Sequence, residues 1–260
     1  MTETLIHSTA IIHPKVQLGH GVRIGAYSVI GEGVSIGDHC EIQEHVSIRG
    51  ITNLGKSVRV FPFAVIGSEP QHLQYQQEST ETEIGDRTVI RESVTIHRGT
   101  AKGSGKTVIG SDCYLMAYAH VAHDCEVGSH VILCNSVQLA GHVVVEDYAN
   151  IGGLSGVVQF CRVGKFCYIG GGTLLRKDLP PYLIGKGNDF EVQGINAVGL
   201  SRRGVTDETI HKLKSLYKMF YLQNLTASAA IEKAVIELGH LPEVKHFIDF
   251  VQNSKVGFVR

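Results

Sequence analysis

IGAYSVIGEGVSIGDHCEI, residues 24–42, carries isoleucine at 24, 30, 36 and 42, with Ser28, Val34 and Cys40 each four places after a rung. A period of six fits neither the 3.6 of a helix nor the simple alternation of a free strand. It fits short strands joined by corners, in which the large aliphatic and the small residue of each hexad both point inward. Three such hexads make a triangular coil of about 18 residues, and successive coils stack as parallel strands roughly 4.8 Å apart. Glycine often follows the rung, as in IGEGVS and IGDHCE, which reads as a corner using backbone angles other residues avoid.

The ladder extends back through Leu18 and Ile12 to Ile6, and forward through Ile48, Leu54 and Val60 to Ile66. It resumes at Ile84, Ile90 and Ile96. After a slip of one residue it runs again, every sixth position, from Ile109 to Leu175. The fold class expected is mainly β: a parallel β-helix of hexapeptide repeats over residues 1–188, then a small α-helical domain over 189–260.

Two segments interrupt the ladder. Residues 67–83, GSEPQHLQYQQESTETE, are polar and read as an extruded loop, although their length also fits one irregular coil. Residues 99–107, GTAKGSGKT, read as a second loop. A phosphate-binding GxxxxGKT would need glycine where Thr100 stands and a helix where VIGSDC follows, so that reading is rejected.

Past DLPPYLIGKGN (178–188) the period becomes helical. Thr206 can cap a helix with Asp207 and Glu208 in its first turn and Ile210, Leu213, Leu216, Tyr217 and Phe220 on one face. A second helix is expected after Thr226, and a third from Pro242, a residue suited to a first helical position.

Composition bounds the function. Lys+Arg 24 against Asp+Glu 25 gives net charge −1, so no global field draws the chain to nucleic acid or an anionic membrane. No secretory leader and no apolar run of about 20 residues are read. Cys40, Cys113, Cys125, Cys161 and Cys167 fall in the small inward slot and read as buried fillers. Cys-x-x-Cys pairing is absent, and free thiols suit a reducing compartment, hence a cytoplasmic expectation.

AHVAHDCEVG, 119–128, concentrates chemistry on one corner. Residues 18 apart stack, so His123 lies under Gly141 and Gln159, and Asp124 under His142. Val121 and Cys125 face the core, which leaves His123 and Asp124 at a corner able to face outward. A partly exposed imidazole, a carboxylate and a glycine N–H could act as base, orienter and oxyanion donor. His120, His123 and His142 could instead converge on a metal, although a corner separates 120 from 123. The plain alternative is a solvated edge, since His13, His20, His39, His45 and His130 occupy similar hexad positions.

ESVTIHRGT (92–100), AHVAHDC (119–125), LAGHV (139–143), VQFC (158–161), DLPPY (178–182) and GLSRRG (199–204) follow in order. With these the whole chain resembles the UDP-N-acetylglucosamine acyltransferases that begin lipid A synthesis. The resemblance implies a homotrimer of left-handed β-helices with sites in clefts between subunits. It implies transfer of a (R)-3-hydroxyacyl chain from acyl carrier protein to the sugar 3-position, with no cofactor and no metal. His123 matches the family's base, Asp124 its orienter and Gly141 its oxyanion donor. His120 and His142 would line the pocket, and Gln71 and Gln159 would contact substrate. Asn196, Arg202 and Arg203 match the nucleotide end, and Gly171 the position limiting acyl length.

The chain departs from the family's QDLKY with QHLQY, placing His72 and Gln74 at substrate-contacting positions. It departs again with Val158 in place of a histidine and Val198 in place of a glutamate. These changes bear on the acceptor, and a 3-amino sugar giving an amide is the nearest alternative. The later N-acyltransferase of the same pathway shares the β-helix but usually carries an added N-terminal domain. A metal-dependent hydratase of the γ-carbonic anhydrase type and a non-catalytic scaffold are the others. For acyl carrier protein, Arg162, Lys165, Arg176 and Lys177 offer a basic landing site.

Overall fold

The computed structural model describes residues 3–260. Within them short strands build three sheets, of 11, 9 and 8 strands, each taking every third strand of the chain as far as Leu175. Leu5 pairs with Arg23 and Ile6 with Ile24, 18 residues on, and the pairing is parallel until residue 183. Sheet one carries the rungs Ile6, Ile24 and Ile42, sheet two Ile12, Ile30 and Ile48, and sheet three Leu18 and Ile36. The three sheets are the faces of a triangular prism.

Rungs from Ile24 to Leu175 are buried, as are the small-slot residues Val22, Cys40, Ala64, Cys125 and Ala149. Ile6 is 46% exposed, since among the described residues no coil stacks on its outer side. The cysteines fill the core as expected; burial pushes the Cys125 thiol up to about 12 and that of Cys113 to about 11.

The corner glycines differ from the sequence reading. At most corners the left-handed residue is the third after the rung and is mostly not glycine: Tyr27, His39, His45, Asp124 and His142 all have φ between 56° and 60°. The glycine directly after the rung serves close stacking instead. A Cβ on Gly37 would lie 2.5 Å from the Gly55 carbonyl oxygen, and one on Gly19 2.6 Å from the Asp38 nitrogen.

Both interruptions are shorter than expected. Strands Val65–Ser68 and Glu81–Ile84 trim the first to residues 69–80, and strand Lys106–Ile109 trims the end of the second. Glu81 pairs with Ile51, thirty residues back, and with Lys106, twenty-five ahead, so the second loop accounts for the one-residue slip. Thr52, Thr82 and Thr107 stand in register in inward slots, and polar residues there disguise the strand. Both loops leave sheet two and return to sheet three, so both emerge at one edge of the prism.

At the far end, Leu183–Lys186 joins sheet one and turns at 187–190 into an antiparallel strand, Glu191–Ile195. Position 188 therefore falls inside a hairpin. Four helices follow: α1 (Ala197–Arg202), α2 (Asp207–Tyr221), α3 (Ala227–Leu238) and α4 (Pro242–Gln252). Thr206 and Thr226 cap α2 and α3 by accepting from Thr209 and Ala229 N–H, and Pro242 opens α4. Helix α1 was not expected; six residues are too few to show a period. The helices are fastened to the prism through Asp178, 1% exposed, which accepts from the backbone N–H and Nε of Arg162. The Arg162 guanidinium also donates to the Phe250 carbonyl and lies 4.0 Å over its ring.

Candidate active site

His123 and Asp124 turn the same edge from which the loops emerge, one coil beyond them. His123 Nδ1 lies 2.8 Å from Asp124 Oδ2. The pair is not the exposed edge that a hexad corner suggests: His123 is 7% exposed and Asp124 4%. The loops provide the cover. Thr100 donates its N–H to Asp124 Oδ1 at 3.0 Å and its hydroxyl to Oδ2 at 2.7 Å, while the Ser104 hydroxyl reaches Oδ1 at 3.3 Å. Gly103 packs so close that a Cβ would sit 2.3 Å from Asp124 Cγ. The Asp124 N–H donates to Thr107 Oγ1 at 2.9 Å.

Burial acts to raise the Asp124 carboxyl, but the hydrogen bonds from Thr100 and His123 outweigh it and hold it below the usual carboxylate range. An ionised carboxylate only accepts, so His123 Nδ1 carries the proton and Nε2 keeps its lone pair. Gly141 packs against this imidazole. A Cβ there would lie 2.6 Å from His123 Cε1 and 2.8 Å from Nε2. The φ of Gly141 is not in the left-handed region, so the requirement is for space alone. The Gly141 N–H has no hydrogen-bond partner among the described residues.

His142 and His72 flank the base, their rings 5.2 Å and 5.1 Å from it and nearly perpendicular. His142 stacks on Phe160 at 4.7 Å, and burial pushes its imidazole down. His120 stands on sheet two with Nδ1 2.7 Å from Thr95 Oγ1, and burial pushes it down to about 4. His97 packs 5.3 Å from it and is also pushed down by burial. His97, His120 and His142 stay neutral at pH 7, as polar contacts rather than cations. Ligand atoms of His123, Asp124 and His142 lie within 4.8 Å of one another, so the close trio includes Asp124 and leaves out His120. The chemistry open to the corner is proton abstraction at Nε2 beside an unpaired backbone donor.

Gln71 and Gln74 lie exposed on the first loop, where Gln74 Oε1 accepts from Lys102 Nζ at 2.9 Å, and Gln159 is exposed on the coil beyond Gly141. Gly171 sits at a different edge. Asn196 caps α1, accepting from Gly199 N–H at 3.0 Å and donating to the Phe166 carbonyl at 2.9 Å. Arg203 lies 5.1 Å over the Tyr148 ring, and with Arg202, Phe166 and Asn196 it lines a groove of about 410 Å³. Tyr148 is three residues past rung Val145 and His142 three past Leu139, so these groups occupy adjacent edges of the prism and do not meet within one chain. Sequence reasoning missed Thr100, Ser104, Thr107 and His97 as parts of the site; the signals were Thr107, a polar residue in an inward slot, and the ESVTIHRGT motif, which holds His97 and Thr100.

Residues 178–259 match domain 2 of the Udp N-acetylglucosamine O-acyltransferase family, and 3–37, 15–50 and 106–141 match bacterial transferase hexapeptide repeats. An acyl-[acyl-carrier-protein]–UDP-N-acetylglucosamine O-acyltransferase of Halorhodospira halophila is 46% identical over 257 residues, 99% of this chain and 100% of that protein. The chain belongs to this acyltransferase family. LpxA from Acinetobacter baumannii superposes with TM-score 0.95 at 41% identity, covering 98% of this chain and all of the other. The UDP-N-acetylglucosamine acyltransferase of Arabidopsis, at 30% identity and TM-score 0.86, spans 98% and 100%. Within the family's fold, the His123 corner and the C-terminal helices are thus parts of one continuous likeness. No helix among the described residues is long and apolar enough to cross a membrane.

Proposed function

We propose that the chain transfers a (R)-3-hydroxyacyl group from acyl carrier protein to the 3-position of UDP-N-acetylglucosamine, the first step of lipid A synthesis. The observation that carries this reading is the pairing of an ionised Asp124 with His123 Nδ1 at 2.8 Å, which leaves Nε2 basic beneath Gly141. Nε2 takes the proton of the acceptor hydroxyl as its oxygen attacks the thioester carbonyl. The Gly141 N–H stabilises the oxyanion. Collapse breaks the C–S bond, and the imidazolium returns its proton to the leaving thiolate. His120, His142, Gln71, Gln74 and Gln159 contact substrate, and no metal or cofactor takes part.

The nucleotide end, Asn196, Arg202 and Arg203, sits on a neighbouring edge of the prism, which supports a site completed by a second copy in a homotrimer. Guanidinium groups suit a diphosphate. Position 171, on yet another edge, sets acyl length, and its glycine leaves that slot open to longer chains. For carrier docking, Arg162 is committed to Asp178 and Phe250, which leaves the exposed Arg176 and Lys177 with Lys165.

The second reading, N-acylation of a 3-amino acceptor, is favoured by His72. A carboxylate beside the base would hold an ammonium protonated, and an imidazole does not. Transfer from a panel of 3-hydroxyacyl carrier proteins to UDP-N-acetylglucosamine and its 3-amino analogue separates the two. Faster transfer to the hydroxyl sugar supports the first reading, and transfer to the amine alone replaces it.

A further inference from the structure

We infer that Arg98 and Tyr75 form a positioning pair that holds the 69–80 loop over the His123 base and thereby sets affinity for the sugar acceptor. The inference rests on the acyltransferase reading above. Arg98 follows strand Thr95–His97 at the edge where both loops leave the prism, and its side chain is only 15% exposed. The backbone N–H of Arg98 donates to Ser68 O at 3.1 Å, and Nη1 donates to Gly67 O at 3.1 Å, fixing the loop's departure. Nε and Nη2 both donate to the Tyr75 hydroxyl, Nε at 3.0 Å, and that hydroxyl donates onward to Glu78 O at 3.1 Å. Glu69 Oε1 lies 3.8 Å from Nη2. His97 Nδ1 donates to the Glu69 carbonyl.

The guanidinium has a place made for it. A Cβ on Gly50 would lie 2.8 Å from Nη1, so a glycine in the coil below leaves it room. Between the points held by Arg98, the loop makes a tight turn in which the Tyr75 N–H donates to His72 O at 3.0 Å. That turn is what sets the His72 ring 5.1 Å from His123. Arg98 touches no reacting atom; it acts through Tyr75 and the loop. Lysine cannot replace it, because one ammonium cannot donate in a plane to a phenol and a carbonyl from opposite sides of a fork.

The test compares wild type, Tyr75→Phe and Arg98→Lys in two measurements. Hydrogen exchange of the substrate-free protein reads the clamp without any assay of transfer. Steady-state transfer reads its consequence. Amides of 69–80 exchange faster in both variants, while the prism strands and the thermal midpoint of Tyr75→Phe stay as in wild type. The KM for the UDP-sugar rises about tenfold, equal to ~1.4 kcal/mol, with kcat within about threefold and the KM for acyl carrier protein unchanged. Unchanged loop exchange overturns the clamp. Faster exchange with an unchanged sugar KM overturns its role in acceptor binding. Wild type that transfers no acyl group to either sugar defeats the acyltransferase reading instead, and the exchange result still decides the clamp.

Discussion

Gly141 is glycine because His123 occupies the space its side chain would need: a Cβ would lie 2.6 Å from Cε1 of the imidazole. The coil repeat stacks position 141 over 123, and the absent side chain leaves a gap that the imidazole fills beside an unpaired N–H. Gly141→Ala therefore drives the ring off its bond to Asp124 while leaving the prism folded. Expected is a fall in kcat of roughly 10²-fold with a thermal midpoint near that of wild type. Activity within threefold of wild type would show that the gap is not used.

Asp124 fixes the proton on Nδ1, and Thr100 keeps Asp124 ionised through both its N–H and its hydroxyl. Asp124→Asn removes the anion and favours the wrong tautomer, with kcat reduced by roughly 10²-fold or more. Thr100→Val removes one of its two bonds and leaves the N–H, so a smaller loss, about three- to tenfold, is expected. Equal effects from the two substitutions would mean that ionisation of Asp124 is not what Thr100 supplies.

Acidification destabilises the site through its neutral histidines. Burial pushes His120 down to about 4 and also lowers His97 and His142. Between about pH 6.5 and pH 4 the unfolded chain binds more protons than the folded one, so stability rises with pH across this window. Asp124, depressed in the fold, adds stability above about pH 3.9 that is lost as pH falls through its folded value. Unfolding midpoints measured from pH 7 to pH 4 should fall steadily, and His120→Gln should flatten the slope. A midpoint independent of pH above 4 would contradict the burial argument.

Arg162 and Asp178 fasten the helices. Arg162→Ala leaves a carboxylate 1% exposed without its cation, a loss of roughly 3–5 kcal/mol. Chemical denaturation should separate unfolding of the helical segment from that of the prism. A single transition at the wild-type midpoint would show that the pair contributes little.

The prism was legible because every sixth residue must fill one narrow interior, and Ile24 through Leu175 advertise it. What stayed hidden follows from the same geometry. Thr82 and Thr107 occupy inward slots, so strands at the loop margins read as loop. The burial of His123 depends on Thr100, Ser104 and Gly103 folding back over Asp124, contacts that no repeat predicts. His123 under Gly141 follows directly from the 18-residue coil. The separation of Arg203 from His123 follows from it too, once hexads are assigned to edges. Asn196 carries a cap that a motif comparison reads only as a binding residue.

The central claim is that Nε2 of His123 is the base for acyl transfer. Single-turnover transfer from a 3-hydroxyacyl carrier protein to UDP-N-acetylglucosamine, compared between wild type and His123→Ala of equal thermal midpoint, tests it most directly. Expected is a loss of about 10²- to 10⁴-fold in the transfer rate, with sugar binding retained. A folded His123→Ala protein that transfers the chain at the wild-type rate would contradict it.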